Sequence, residues 1–180
     1  MPAGWTVARL GDIVSIISGT SYRKSDPVSA GIRIIRGGNI QDLKITFYDD
    51  DIFLPDDFFD SEKLVKNGDI IIVASTGSKT LIGKPGISYN DFAKVQIGVF
   101  LRIVRPNDLR LIGYIRLIFS SELYRVHIRE SVKGTNINNI KAEYIDAFMI
   151  PVPPLGEQYR MVTAVERALT ELGIVSDNLN

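Results

Sequence analysis

This chain of 180 residues contains no cysteine. Disulfides and thiolate zinc sites are therefore excluded, and a reducing cytoplasm is the plain expectation. There is one histidine, His127, between Val126 and Ile128. A single imidazole without cysteine partners does not make a zinc site, and a structural or surface role is favoured over that of a general base. No apolar run reaches the ~18–20 residues needed to cross a bilayer. Met1-Pro2-Ala3-Gly4-Trp5 lacks the basic patch and apolar stretch of a secretory signal. An excess of charge of one sign is missing too, since 21 Lys and Arg offset 21 Asp and Glu. A nucleic-acid binder acting alone usually carries a basic excess, because phosphate neutralisation supplies much of its affinity. A balanced chain fits a reader that relies on a larger complex, with its basic residues on one face.

Catalytic signatures are also scarce. An adenine methyltransferase needs a glycine-rich cofactor loop and an Asn/Asp-Pro-Pro-aromatic segment, whereas Pro153-Pro154 lies between Val152 and Leu155. Gly77-Ser78-Lys79-Thr80 and Gly83-Lys84 lack the spaced first glycine of a nucleotide-binding P-loop. Asp42-Leu43-Lys44, with Asp26 upstream, has the acidic-x-Lys spacing of a metal-dependent nuclease. A surface turn is the favoured reading of that tripeptide.

What is present is a core: 45% of the residues are hydrophobic, enough for one domain with an appended helix. Val7, Leu10, Ile13, Val14 and Ile17 recur at helical spacing and predict a short helix. Residues 20–31 read as a loop, and Ile32-Arg33-Ile34-Ile35-Arg36 as a strand halted by Gly37-Gly38. Asp49 to Asp60 reads as an acidic loop with Phe53, Phe58 and Phe59 as buried aromatic anchors. Asn67-Gly68-Asp69 predicts a turn into a fully buried strand, Ile70 to Ala74, followed by an exposed loop from Ser75 to Gly86. Val95 to Val104 reads as one more strand. Asp108 is placed to cap a helix from Leu109 to Glu130, with an apolar stripe of Ile112, Ile115, Phe119, Leu123 and Val126, ended by Gly134-Thr135-Asn136. Pro151-Val152-Pro153-Pro154 is stiff and extended. Beyond it, Leu155, Val162 and Leu169 with Val165, Leu172 and Leu179 fall at a and d positions, Gln158 and Ser176 being polar exceptions. About three heptads of this kind favour packing along another helix. The fold expected is α+β, with a twisted, mainly antiparallel β-sheet and packed helices, followed by a coiled-coil-type helix.

Four polar, basic loops remain: Ser18 to Lys24, Arg36 to Gly38, Thr76 to Lys84 and Lys133 to Asn139. Arg and Lys reach guanine edges, Asn pairs with adenine, and Ser, Thr and glycine-rich backbone hold phosphates. Taken singly, each is an ordinary solvated turn.

The order of motifs resembles one half of the specificity subunit of a type I restriction–modification enzyme. Trp5 precedes Leu10-Gly11-Asp12-Ile13 and Ile17-Ser18-Gly19. Ile35-Arg36-Gly37-Gly38-Asn39-Ile40, Leu64-x-x-x-Gly68-Asp69-Ile70-Ile71, Ala74-Ser75-Thr76-Gly77-Ser78, Ile82-Gly83-Lys84 and Gly134-Thr135-Asn136 then Asn138-Asn139-Ile140 follow. Pro151-Val152-Pro153-Pro154-Leu155-Gly156-Glu157-Gln158 is the sharpest match. The resemblance implies a DNA target-recognition domain at 1–152 and the start of a spacer and dimerisation helix at 153–180, itself cut short. It implies a non-catalytic reader of double-stranded DNA. Its partners would be methyltransferase subunits, which hold S-adenosylmethionine, a restriction and translocase subunit, and a second specificity half or a second copy of the chain. From residue type and position, Tyr22, Arg23, Lys24, Arg36, Lys79, Thr80, Lys84, Lys133, Thr135, Asn136 and Asn138 are the candidates for DNA contact. Leu155, Val162, Val165, Leu169 and Leu172 are those for the helix interface. A nuclease or methyltransferase accessory region, and a coiled-coil scaffold without DNA, are the alternatives.

Overall fold

The computed structural model describes residues 2–78, 80–131 and 139–177, with side chains through residue 172. Short apolar runs bounded by Gly, Pro, Asn and Asp form short strands: β1 (Thr6–Arg9), β2 (Val14–Ser18), β3 (Ile32–Ile35), β4 (Ile40–Gln41), β5 (Lys44–Ile45), β6 (Ile52–Leu54), β7 (Ile70–Val73), β8 (Pro85–Ile87), β9 (Val95–Ile97) and β10 (Leu101–Pro106). Helices α1 (Ile112–Ser120), α2 (Glu122–Ser131) and α3 (Ala142–Asp146) come next, then β11 (Met149–Val152) and the long α4 (Leu155–Asp177). The fold is α+β. An antiparallel sheet of order β2-β10-β7-β8 lies at the centre, beside a second sheet of order β6-β3-β9 in which β3 and β9 run parallel. β1 pairs with β11, and β4 with β5, as two-stranded ribbons.

Strand β7 explains the layering. Successive side chains of a strand point to opposite faces. Ile70 and Ile72 enter a core with Tyr114, Ile115, Phe119, Tyr124 and Ile128 of α1 and α2. Ile71 and Val73 enter a second core with Ile35, Val95 and Ile97 of the neighbouring sheet. Every position of β7 is apolar because both faces are covered. Ile32 and Ile34, on the alternate face of β3, form a third cluster with Leu54, Tyr22 and Phe58.

Several polar residues act as staples for this framework. Asp69 is fully buried and receives both Nε and Nη2 of Arg105 at 2.8 Å, plus the backbone N–H of Lys66. The carboxylate raises the pKa of Arg105, against burial, which lowers it. Tyr124 donates its hydroxyl to the Gly83 carbonyl at 2.8 Å, and burial pushes its pKa upward. Gln158 donates to the Pro153 carbonyl at 2.8 Å, so this polar residue in the heptad pattern fixes the start of α4. His127 stacks on Phe148 at 4.2 Å and bonds the Tyr144 carbonyl, a structural role.

Five expectations are corrected. The exposed loop expected from Ser75 to Gly86 ends at Lys84, because Pro85–Ile87 form β8 against β7 and Gly86 is buried there. Residues 6–18 form two strands hinged at a 3-10 turn (Leu10–Asp12) rather than a helix. Pairing of β1 with β11 and β2 with β10 outweighs the local 3.6-residue spacing. The acidic stretch after Asp49 contains β6, paired to β3. Val95 to Val104 is two strands in different sheets, divided at Gly98; a side chain at the facing Gly19 would place its Cβ 2.0 Å from the Gly98 carbonyl oxygen. The helix from Leu109 is broken. Asp108 caps a 3-10 turn by accepting the Arg110 N–H at 2.9 Å, and Ser121 is extended between α1 and α2. The break rotates α2, so Tyr124 and Ile128 are buried while Leu123 and Val126 are exposed. The glycine-containing stop at 134–136 lies outside the described residues.

Candidate nucleic-acid interface

Strand pairing decides which loops meet. Ser18 at the end of β2 sits opposite Arg102 near the start of β10, and Val73 at the end of β7 sits opposite Leu101. Ile35 at the end of β3 pairs with Ile97 at the end of β9. Ile72 pairs with Pro85, so β8 begins at this same end. Backbone bonds knit the emerging loops together. Thr20 N–H donates to Ile97 O at 2.7 Å, Gly98 N–H to Ile35 O at 2.9 Å, and Gly83 N–H to Val73 O at 2.8 Å. The chain returning from α2 arrives here as well: Asn139 bridges Ser75, and Ile140 N–H donates to Ala74 O at 2.6 Å. Five separate segments thus gather at one end of two sheets. Between three of them, the segments after β3 and β7 and the β9–β10 turn, opens a cleft of ≈ 440 Å³ lined by Gly37, Gly38, Ser75, Thr76, Gly77, Leu81 and Phe100.

Arg36 is exposed at this end. Its position is set by Asn39, which is buried at the base of the turn. Asn39 Oδ1 accepts the Arg36 backbone N–H at 2.6 Å, and Nδ2 donates to Thr46 O at 2.9 Å and Asp51 Oδ1 at 2.7 Å. Asp51, also buried, accepts the Tyr48 N–H and lies 3.7 Å from Arg33. Arg33 itself lies over the rings of Phe47 and Phe53 and belongs to this support.

Thr80 is exposed, with its hydroxyl 2.9 Å from that of Ser78. Lys84 emerges at the start of β8, on the flank of the same end, beside Arg125 and Arg129 of α2. Arg23 and Lys24 are exposed in the loop that leaves Gly19, while the Tyr22 ring packs on Ile32, Ile34 and Leu54. Among the described residues, Arg23, Lys24, Arg36 and Lys84 form no ion pair; by contrast Arg105, Arg110 and Lys94 are neutralised by Asp69, Asp108 and Asp56. A chain without net charge can therefore present cations without carboxylate partners at this end, Arg36, which donates to the Asp50 carbonyl, and Lys84. Lys79, Lys133, Thr135, Asn136 and Asn138 lie outside the described residues.

Sequence reasoning missed Phe100, which is 62% exposed on the turn between β9 and β10. The only signal was Gly98 inside an apolar run, since glycine within a strand pattern often marks a close backbone approach. Asp42-Leu43-Lys44 is the tip of the β4–β5 hairpin, with Asp42 and Leu43 at φ of 48° and 65°.

The helix residues divide into two groups. Met161 packs on the helical core, and α4 lies along α1. Leu155 and Val162 are half-buried there. Val165, Leu169 and Leu172 are 40%, 63% and 65% exposed. Among the described residues no helix is long and apolar enough to cross a membrane.

Residues 2–174 match the family described as the type I restriction modification DNA specificity domain. The chain is 31% identical over 176 residues to the EcoKI specificity subunit of Escherichia coli strain K12, covering 96% of this chain and 38% of that protein. Over the same shares it is 30% identical to the StySPI specificity subunit of Salmonella potsdam. It therefore spans only 38% of the length of these curated relatives. The HsdS subunit of Thermoanaerobacter tengcongensis superposes with a TM-score of 0.68 at 22% identity, over 99% of this chain and 40% of that one. A chain from a study of assembly and conformational transition in a type I R-M system gives 0.71 at 22%, over 99% and 41%. These two likenesses concern the fold.

Proposed function

The chain belongs to the type I restriction modification DNA specificity domain family, and from that premise we propose that it selects the DNA sequence at which partner subunits act, without chemistry of its own. The observation that carries this reading is the gathering of five segments at one end of the sheets, with the exposed Arg36 and Lys84 free of any ion pair among the described residues. Cations there neutralise phosphates, while hydroxyls, amides and guanidinium groups read base edges. Lys79 and Lys133, outside the described residues, are further candidates for phosphate or guanine contact by residue type. Thr80, Asn136 and Asn138 are the candidate base readers, and Thr135 a further candidate for DNA contact.

The exposed stripe of Val165, Leu169 and Leu172 pairs with the helix of a second specificity half or of a second copy, and the helices dock the methyltransferase. Leu155 and Val162 set the angle at which α4 leaves the domain. Methylation of adenine, using S-adenosylmethionine, takes place in the methyltransferase subunits, and cleavage in a restriction subunit. The complex works in the cytoplasm. Pairing with a second copy would give a palindromic target, because the two-fold axis of the protein maps onto the DNA.

A map of methylated adenine in cells with and without the gene tests the reading. Loss of a bipartite or palindromic motif on deletion is the expected result. Survival of every motif, together with no salt-dependent DNA binding by the complex, refutes it in favour of a scaffold.

A further inference from the structure

We propose that Phe100 is a specificity residue that contacts the C5-methyl group of a thymine in the major groove. The inference rests on the DNA-reading role above and names one contact within it.

An aromatic ring exposed to 62% close to an exposed arginine, Arg36, calls for a partner. Its neighbour Val99 is also exposed. The turn that carries the ring is held on all sides. Ala74 N–H and Ser75 N–H both donate to Phe100 O, at 2.9 and 3.0 Å, and Leu101 N–H closes the turn on Gly98 O at 2.9 Å. The guanidinium of Arg102 donates through Nη1 to Val99 O at 2.9 Å and Leu101 O at 2.7 Å. Burial lowers the pKa of Arg102, which still leaves an always-protonated clamp. Phe100 is thus presented by a fixed backbone with only two side-chain torsions left to order, so little entropy is lost when it makes a contact.

The surroundings select the partner. Phe100 and Leu81 line the ≈ 440 Å³ cleft whose floor is Gly37, Gly38, Ser75, Thr76 and Gly77. A Cβ added to Gly38 or Gly77 would meet nothing within 4 Å, so the backbone there leaves room for a duplex edge. Arg36 stands beside the floor with no carboxylate partner among the described residues. The floor offers backbone groups and hydroxyls, the flank is cationic, and the apolar part of the lining is Leu81 with the rigidly held Phe100 ring. Of the groups that bases display in the major groove, only the thymine methyl is apolar, and phenylalanine is suited to it.

The test uses the protein assembled with its methyltransferase. Duplexes selected from a random pool by the wild type are compared with those selected by Phe100→Ala and Phe100→Leu. Because the ring is exposed, its truncation leaves the backbone bonds of the turn intact, and an unchanged urea midpoint verifies this. The expected result is a wild-type motif in which Phe100→Ala loses preference for thymine at one position while Phe100→Leu keeps it. Uracil at that position should weaken wild-type binding about fourfold, the value of one buried methyl, and leave Phe100→Ala binding unchanged. The proposal is overturned if Phe100→Ala selects the same motif with the same affinity, or if it weakens all sequences alike. A wild type that enriches no motif overturns the DNA-reading role itself, and the contact with it.

Discussion

Removing the Asn39 side chain is the sharpest probe of how the candidate interface is held. Asn39→Ala deletes the acceptor of the Arg36 N–H and the donor to Thr46 O and Asp51 Oδ1. Asp51 is then left with the Tyr48 N–H at 3.0 Å and an Arg33 contact at 3.7 Å, in a site where its side chain has no exposure. A buried carboxylate oxygen without its donor costs about 1–3 kcal/mol, and each of the two half-buried bonds contributes about 1 kcal/mol net. The total is about 3–5 kcal/mol, a large part of the ~5–15 kcal/mol that keeps a domain folded. Urea unfolding measures it as a lower midpoint at constant slope. Because Asn39 and Asp51 share one network, the double variant Asn39→Ala/Asp51→Ala should be less destabilised than the two single variants added together, by about 1–2 kcal/mol. DNA binding, at matched folded concentration, should show the same coupling between Asn39→Ala and Arg36→Ala. A loss of less than ~1 kcal/mol with strict additivity would mean that this network does not hold the turn.

Other perturbations separate scaffold from contact. Arg36→Ala should cost ~1–3 kcal/mol and relax one position of the target if the guanidinium reads guanine; if it holds a phosphate, binding to all sequences weakens and the salt slope falls by about one, as competition with single-base variants reports. Arg105→Met strands the buried Asp69 carboxylate and should destabilise by about 3–5 kcal/mol in urea. Gly68→Ala forces a side chain into φ +93° with its Cβ 2.7 Å from Ile112, and should lower Tm through strain and overpacking of about 2–4 kcal/mol together. Val165→Pro should abolish self-association or methyltransferase capture in sedimentation, with the domain's own Tm unchanged.

The layers were legible where local chemistry had one reading. Ile70 to Val73 announced a strand covered on both faces, and Asn67-Gly68-Asp69 the turn before it. The strands β1 and β2 were not legible, because their partners are β11 and β10, far along the chain, and nothing within residues 6–18 records them. The break at Ser121 escaped for a similar reason. Leu123 and Val126 continue the α1 stripe in spacing, and only the packing of Tyr124 under Gly83 shows that α2 has turned. At the candidate interface, residue types marked Arg36, Thr80 and Lys84 as exposed basic or polar loop residues. Their common end depends on pairings of β3 with β9 and of β7 with β8 and β10, a property of topology rather than of any loop. Phe100 went unseen because a run of apolar residues looks continuous until Gly98 is known to turn it.

The motifs through which the family is recognisable have a physical division of labour. Asn39, Asp69, Gly83 and Gln158 each belong to a resemblance motif, and each is buried and bonded to the chain's own backbone or side chains. None of them is placed to touch a base. They fix where the turns leave the sheets and where α4 leaves the domain. The residues that such turns project, Arg36 after β3, Thr80 beyond β7 and Phe100 between β9 and β10, carry no comparable packing constraint, because their side chains are exposed. Exchanging one exposed side chain for another at these positions costs little stability, of the order of ±0.5 kcal/mol. A framework stapled from within can therefore accept many loop surfaces. Family likeness then identifies the framework, while the target must be read from the exposed tips, by measurement on this chain.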